Sequence, residues 1–211
     1  MKRQTLCVWL VGTLFVARET AQSGKVGGPC EGCEAIYESP VPFERLTMSL
    51  QLPDANWAGK KPLGVNGTVY KADGRTPAPG VVLYMYHTDR TGHYIAKLGA
   101  TGWERRHGSL RGWLRTDANG HYQFVTMRPA PYPGYTNPAH IHVVVKEPGL
   151  PEYYVDDFVF NDDPLLTPDK RQKLDNQGGS GVLTLKAVGN MVKAERDIYL
   201  GRNIPNYPAD R

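Results

Sequence analysis

From Lys61 onward the chain consists of short β-prone runs punctuated by Gly, Pro, Asn and Asp, a spacing that suits a sandwich or barrel and not a helical bundle. Leu63–Tyr70 reads as a strand, Ala72-Asp73-Gly74 as a turn and residues 80–87 as a second strand. Residues 113–116 and 122–126 are two further runs, and Asp117-Ala118-Asn119-Gly120 between them carries the Asn-Gly signal of a hairpin. Residues 141–146 make an apolar strand, and residues 182–188 with 192–200 are expected to form a closing hairpin around Gly189-Asn190. Helix is scarce. Residues 168–174 have room for about two turns, with Thr167 as cap and Pro168 at the first helical position.

The expected fold is therefore all-β, a single β-sandwich domain over residues 61–200 with long functional loops and little helix. An arm over residues 24–60 precedes it and a tail over residues 201–211 follows. Both could pack against a neighbour, which leaves a homo-oligomer open. Two segments lose the strand periodicity: residues 88–111, rich in Gly, His and Arg, and residues 127–139, with four prolines. Long irregular loops in a compact domain usually carry function.

Residues 1–23 have a different composition. Lys2 and Arg3 precede an apolar run of 12 residues, Leu6 to Ala17, and small residues follow at Ala21 and Ser23. This is the plan of a cleaved export signal with its cut before Gly24, and the run is shorter than the roughly 20 residues a membrane span needs. The expectation is an exported protein, periplasmic or extracellular, with no stable membrane span after cleavage. Loss of Lys2, Arg3, Arg18 and Glu19 lowers the formal net charge from +4 to +2. With no run of basic residues, nucleic acid is not an expected partner. Cys7 leaves with the signal. Cys30 and Cys33 stay as C-E-G-C, where an oxidising compartment favours a local disulfide over a free redox pair.

His140-Ile141-His142 lies where the proline-rich loop becomes a strand. Side chains two apart on a strand share a face, so both imidazoles face one point and Ile141, Val143 and Val145 take the other face. Such convergence suits a metal, although H-x-H alone equally suits a pair of surface or hydrogen-bonded histidines. A cupin-type site would use Glu147 and a later histidine, and no histidine follows His142.

Upstream, Gly92-His93-Tyr94 and Arg128-Pro129-Ala130-Pro131-Tyr132-Pro133 fall in the two long loops. With the order Y…R-P-x-P-Y-P…P-A-H-I-H, the G-T-V strand and the D-A-N-G-x-Y-x-F run, the chain resembles the intradiol ring-cleavage dioxygenases from about residue 64 to residue 142. The resemblance implies a ferric ion, Fe(3+), held by Tyr94 and His140 as equatorial ligands and Tyr132 and His142 as axial ones. It also implies a catechol-type substrate and O2, with Tyr132 taking a substrate proton. Hard phenolate donors suit ferric iron independently of the resemblance. One departure is Asn137, where family members commonly have Arg, a residue that would stabilise negative charge during oxygen attack. Arg128, Arg111 or Arg106 would then have to supply the cation.

The remaining features are read plainly. His87, His93, His107 and His121 are not expected as ligands, with His93 placed at the mouth of the site. Asp156, Asp157, Asp162 and Asp163 read as a solvated acidic loop, and Asn66-Gly67-Thr68 is a glycosylation sequon. Two other classes compete with the enzyme. One is a non-catalytic carbohydrate- or ligand-binding sandwich, because residues 67–86 also resemble transthyretin-like and carboxypeptidase regulatory-like modules. The other is a structural cell-surface domain. Iron content discriminates the first from the enzyme, and the second would leave the two long loops free to vary.

Overall fold

The computed structural model describes residues 25–53, 61–209 and 211, and the expected leader over residues 1–23 lies outside them. In chain order the strands are β1 (Ser49–Gln51), β2 (Leu63–Tyr70), β3 (Val82–His87), β4 (Arg111–Arg115), β5 (His121–Thr126), β6 (His140–Lys146), β7 (Tyr153–Tyr154), β8 (Phe158–Phe160), β9 (Val182–Leu183), β10 (Lys186–Val188), β11 (Met191–Glu195) and β12 (Ile198–Tyr199). They form two six-stranded sheets. One runs β1-β5-β2-β11-β10 with β12 also on β2, and the other runs β4-β3-β6-β8-β9 with β7 also on β6. Among the described residues, helix is confined to two 3-10 turns, Cys33–Glu38 and Phe43–Arg45, and two short α-helices, α1 (Glu104–His107) and α2 (Pro168–Gln172). The all-β sandwich expected from the spacing is the architecture observed. No helix among the described residues is long and apolar enough to cross a membrane.

The core between the sheets fixes which way β6 faces. Ile141, Val143 and Val145 are fully buried in it beside Leu83, Met85, Phe124 and Phe158. Burying each such side chain contributes about 1.5–3 kcal/mol. A slip of β6 by one residue would turn these three out of the core and His142 with its alternate neighbours in, so the apolar face enforces the register that presents His140 and His142 on the opposite side. There His142 pairs with Tyr86 on β3 and His140 with Val159 on β8.

The outer face of this second sheet is covered as well. Val82, Tyr84, Tyr86 and Val144 form a separate cluster with Cys33, Ala35 and Ile36 from the N-terminal arm, against which Tyr94, Trp103 and Trp113 pack. Trp113 Nε1 donates to the Ile36 carbonyl at 2.8 Å. At the other end, Tyr207 donates to Glu147 at 2.9 Å and its ring meets that of Tyr153. Both flanking segments thus pack on the chain's own domain, and the arm adds β1 in parallel to β5.

Two expected hairpins differ from the structure. β4 and β5 reverse direction across Asp117-Ala118-Asn119-Gly120 but lie in opposite sheets. Asp117 accepts from the Asn119 and His121 amides at 2.9 and 2.8 Å. This makes a corner, and Leu114 and Phe124 enter the core from opposite sheets. The closing hairpin around Gly189-Asn190 is present as β10 and β11, but β9 pairs with β8 in the other sheet. Thr167 caps α2 with Pro168 at its start, as expected.

Candidate metal centre

The site lies on the outer face of the second sheet, beneath the loops that follow β3 and β5. Thr88 Oγ1 donates to the Ala130 carbonyl at 2.7 Å and the Ala130 amide donates to the Asp89 carbonyl at 3.0 Å, so the two loops are tied at their bases. Gly92 makes the closest approach. It adopts φ +81°, and a Cβ there would run into the Pro131 carbonyl and lie 2.8 Å from Pro133 Cδ. Only glycine lets this backbone pass so near, which sets Tyr94 beside Tyr132.

Four polar atoms converge. Tyr94 Oη is 2.6 Å from Tyr132 Oη and 3.1 Å from His142 Nε2. Tyr132 Oη is 3.2 Å from His142 Nε2 and 3.0 Å from His140 Nε2, and the two Nε2 atoms are 3.2 Å apart. All four residues singled out from the sequence are brought together, from two loops and one strand.

The far nitrogens of both rings have acceptors. His140 Nδ1 donates to the Pro138 carbonyl at 2.8 Å, and His142 Nδ1 donates to Asp157 Oδ1 at 2.9 Å. A carbonyl and a carboxylate can only accept, so the protons reside on Nδ1 and both Nε2 lone pairs point into the cluster. His140, His142 and Asp157 also form a grouping with potential ligand atoms within 4.8 Å of one another. Asp157 is taken up by His142 Nδ1, which makes it the support of a candidate ligand instead of a further candidate. Burial opposes its charge, but the neighbouring His142 and His140 outweigh this and hold the carboxyl below its ordinary range. Burial lowers His140, as does the His142 ring, so it is a neutral donor. Burial also raises Tyr94 and Tyr132, the latter partly offset by its bond from Tyr94.

The donor set fits a hard, trivalent ion: two phenol oxygens that neutralise charge when ionised and two imidazoles already in the ligating tautomer. A cleft of about 240 Å³ opens beside it, lined by Tyr86, Tyr94, Trp103, Arg106, Tyr132 and His142 among others. Tyr86 is sandwiched in its wall. Its ring stacks on His107 at 3.8 Å and on His142 at 4.5 Å, and its hydroxyl bonds that of Tyr154 at 2.9 Å.

Other expected residues lie elsewhere. Arg128 is not brought to the cluster; it pairs with Asp162 at 2.8 Å and lies over the Phe160 ring. Arg111 is held by Glu38 at 2.7 Å and stacks on Trp113. Arg106 lines the cleft, and Asn137 is exposed on the loop just before Pro138. His93 bonds Thr91, and His121 faces Asp117. His87 is buried inside the sandwich between the Thr88 carbonyl and Thr126 Oγ1. Cys30 and Cys33 are joined as a disulfide.

The acidic stretch needs correction. Besides Asp157, Asp163 is buried and accepts from the Ala139 amide at 2.8 Å, pinning the residue before His140. Asp156 accepts from the Asn176 and Gln177 amides. Only Asp162 has the exposed setting of a solvated loop residue. The signal that could have found Asp157 is chemical: a ligating histidine needs a partner for its second nitrogen, and a carboxylate downstream was available.

Fold and site together define a β-sandwich protein with a two-tyrosine, two-histidine cluster on the outer face of one sheet. Residues 47–180 match the family model described as "Dioxygenase". The chain belongs to the intradiol dioxygenase family. Among solved structures it is similar to the dioxygenase domain of a dioxygenase carbohydrate-binding protein fusion from the cellulolytic bacterium Streptomyces sp. SirexAA-E. The identity is 24%, the TM-score 0.53, and the match covers 72% of this chain and 88% of that one. It is also similar to catechol 1,2-dioxygenase from Acinetobacter sp. ADP1 (20% identity, TM-score 0.56, 78% of this chain and 61% of that one). A third is hydroxyquinol 1,2-dioxygenase from Pseudomonas putida DLL-E4 (21% identity, TM-score 0.51, 76% and 63%). The chain thus spans somewhat over three-fifths of the length of the last two, and at these identities the likeness speaks to the fold.

Proposed function

We propose that this chain is an exported ferric-iron dioxygenase that cleaves the ring of a catechol-type aromatic between its two hydroxylated carbons. Both atoms of O2 enter the product, so catechol and O2 give a cis,cis-muconate-type diacid with no other reactant. The observation that carries this is the convergence of Tyr94, Tyr132, His140 and His142 in a family whose relatives are catechol-type dioxygenases. Export rests on the basic and apolar plan of residues 1–23.

Tyr94, Tyr132, His140 and His142 would hold the iron. When bound, ferric iron supplies Lewis acidity, drawing a catechol in as a chelating dianion and opening its ring to dioxygen. Pro138 and Asp157 keep the two imidazoles in the tautomer that ligation needs. Tyr132 Oη is the base for one catechol proton. Trp103, Tyr86 and His107 line the cleft that a single aromatic ring would enter.

The test is an optical spectrum of the iron-loaded protein, followed by oxygen uptake with catechol. Tyrosinate-to-iron charge transfer should colour the protein red, and catechol should shift the band before diacid appears. Tyr132→Phe should shift the band and cripple turnover, and His142→Ala should lose most bound iron. Metal content and colour that survive both changes would overturn the assignment.

A further inference from the structure

The family match begins at residue 47, yet one wall of the cleft comes from upstream of it. Glu31 lines the cleft with Trp103, Arg106 and His107. It stands between Cys30 and Cys33, and the disulfide closes the turn that carries it. That turn is braced on several sides. Gly32 adopts φ +84°, and a Cβ on it would lie 2.9 Å from His107 Nε2 and 3.1 Å from the Trp103 ring. The Glu31 carbonyl accepts from the Tyr154 hydroxyl at 2.9 Å, and Cys33 is fully buried at the start of the first 3-10 turn.

Glu31 Oε1 accepts from Arg106 Nη2 at 2.7 Å, and the guanidinium lies 5.2 Å over the Trp103 ring. The side chains are 63% and 79% exposed for Arg106 and Glu31, so the pair does little for stability. Its consequence is electrical. Arg106 is the cation and Glu31 the carboxylate among the residues lining this cleft, so an entering ligand meets a compensated pair.

We propose that Glu31 is a specificity-determining residue of the ring-cleavage site: by cancelling Arg106 at the cleft mouth it favours uncharged catechols over catechols bearing a carboxylate. The Cys30–Cys33 turn holds it there. This rests on the ring-cleavage reading above. A carboxylate on the ring must either displace Glu31 from Arg106 or lie beside its negative charge, whereas a neutral substituent is indifferent to both.

The experiment compares catechol with 3,4-dihydroxybenzoate on the iron-loaded protein and its Glu31→Gln, Arg106→Gln and doubly substituted variants. It reads kcat/KM from turnover and Kd from calorimetry. Near the surface one unit of charge shifts such binding by up to roughly fivefold. Glu31→Gln should therefore raise the acid-to-neutral ratio of both quantities by about fivefold, and Arg106→Gln should lower it. The double variant should lack the gain, and the gain should shrink at high salt. Replacing Cys30 and Cys33 with Ser should move the ratio in the Glu31→Gln direction. Turnover with a ratio unmoved by Glu31→Gln, or a gain that persists in the double variant, overturns the role of Glu31 alone. If no catechol shifts the visible band or is cleaved, the ring-cleavage reading fails and this inference fails with it.

Discussion

Asp157 accepts the Nδ1 proton of His142 at 2.9 Å while the opposite nitrogen of the same ring lies 3.1 Å from Tyr94 Oη and 3.2 Å from Tyr132 Oη. One carboxylate thereby sets both the tautomer and the orientation of a donor. Removing it by Asp157→Ala should lower iron affinity and turnover by about 10–100-fold with the β-sheet signal in circular dichroism retained. Metal titration of the variant checks this; an affinity equal to the wild type would mean that packing alone orients His142.

Gly92 is the point where the two site loops meet. In Gly92→Ala the methyl group has no space against Pro131, and the residue is forced to hold φ +81°. The strain is about 1–3 kcal/mol, enough to lower Tm by several degrees without unfolding the sandwich. The larger effect should be local. Tyr94 and Tyr132 separate, and the charge-transfer band weakens or shifts at saturating iron.

His87, on the core side of β3, supplies a pH test. Burial pushes its pKa from 6.5 down to about 4, with the Thr88 carbonyl working the other way. Below about pH 6.5 the unfolded chain takes up a proton that the folded chain refuses until about pH 4. The contribution is thus fully present above pH 6.5 and is lost as pH falls toward 4, by on the order of 3 kcal/mol in all. Denaturant midpoints over this range should fall less steeply for His87→Asn than for the wild type. Parallel slopes would show that another group dominates acid destabilisation.

Asn137 is exposed beside the loop end that carries Pro138, at the position where the family commonly has Arg. If that leaves oxygen attack short of a positive charge, Asn137→Arg should raise kcat with little change in KM, the mark of an interaction made mainly in the transition state. A slower Arg variant would indicate that oxygen attack is not short of a positive charge at this position.

Much of this molecule was legible in the sequence where the information is local. Strand β2 falls on the residues that alternation and turn signals predict, and the two-residue period of β6 places His140 and His142 on one face. Partners in a ladder are another matter. An Asn-Gly turn reports that the chain reverses, not whether the returning strand bonds its predecessor, and here β5 takes β1 and β2 as neighbours instead. The short strands β1, β7 and β8 escaped because segments of two or three residues carry no period to detect. Asp157 and Glu31 escaped for a related reason. Each acquires its role from a contact across the fold, His142 in one case and Arg106 in the other, and nothing in its own neighbourhood marks it.

Strand β6 has two employments, one on each side. Ile141, Val143 and Val145 belong to the sandwich interior, whereas His140 and His142 belong to the centre outside it. Heritable change can therefore act on one side without taxing the other. The loops above the imidazoles carry Tyr94 and Tyr132 and are held together at Gly92, so a change there is felt at the centre, while the interior keeps the histidines in place. A scaffold so divided can change what it admits without changing its shape.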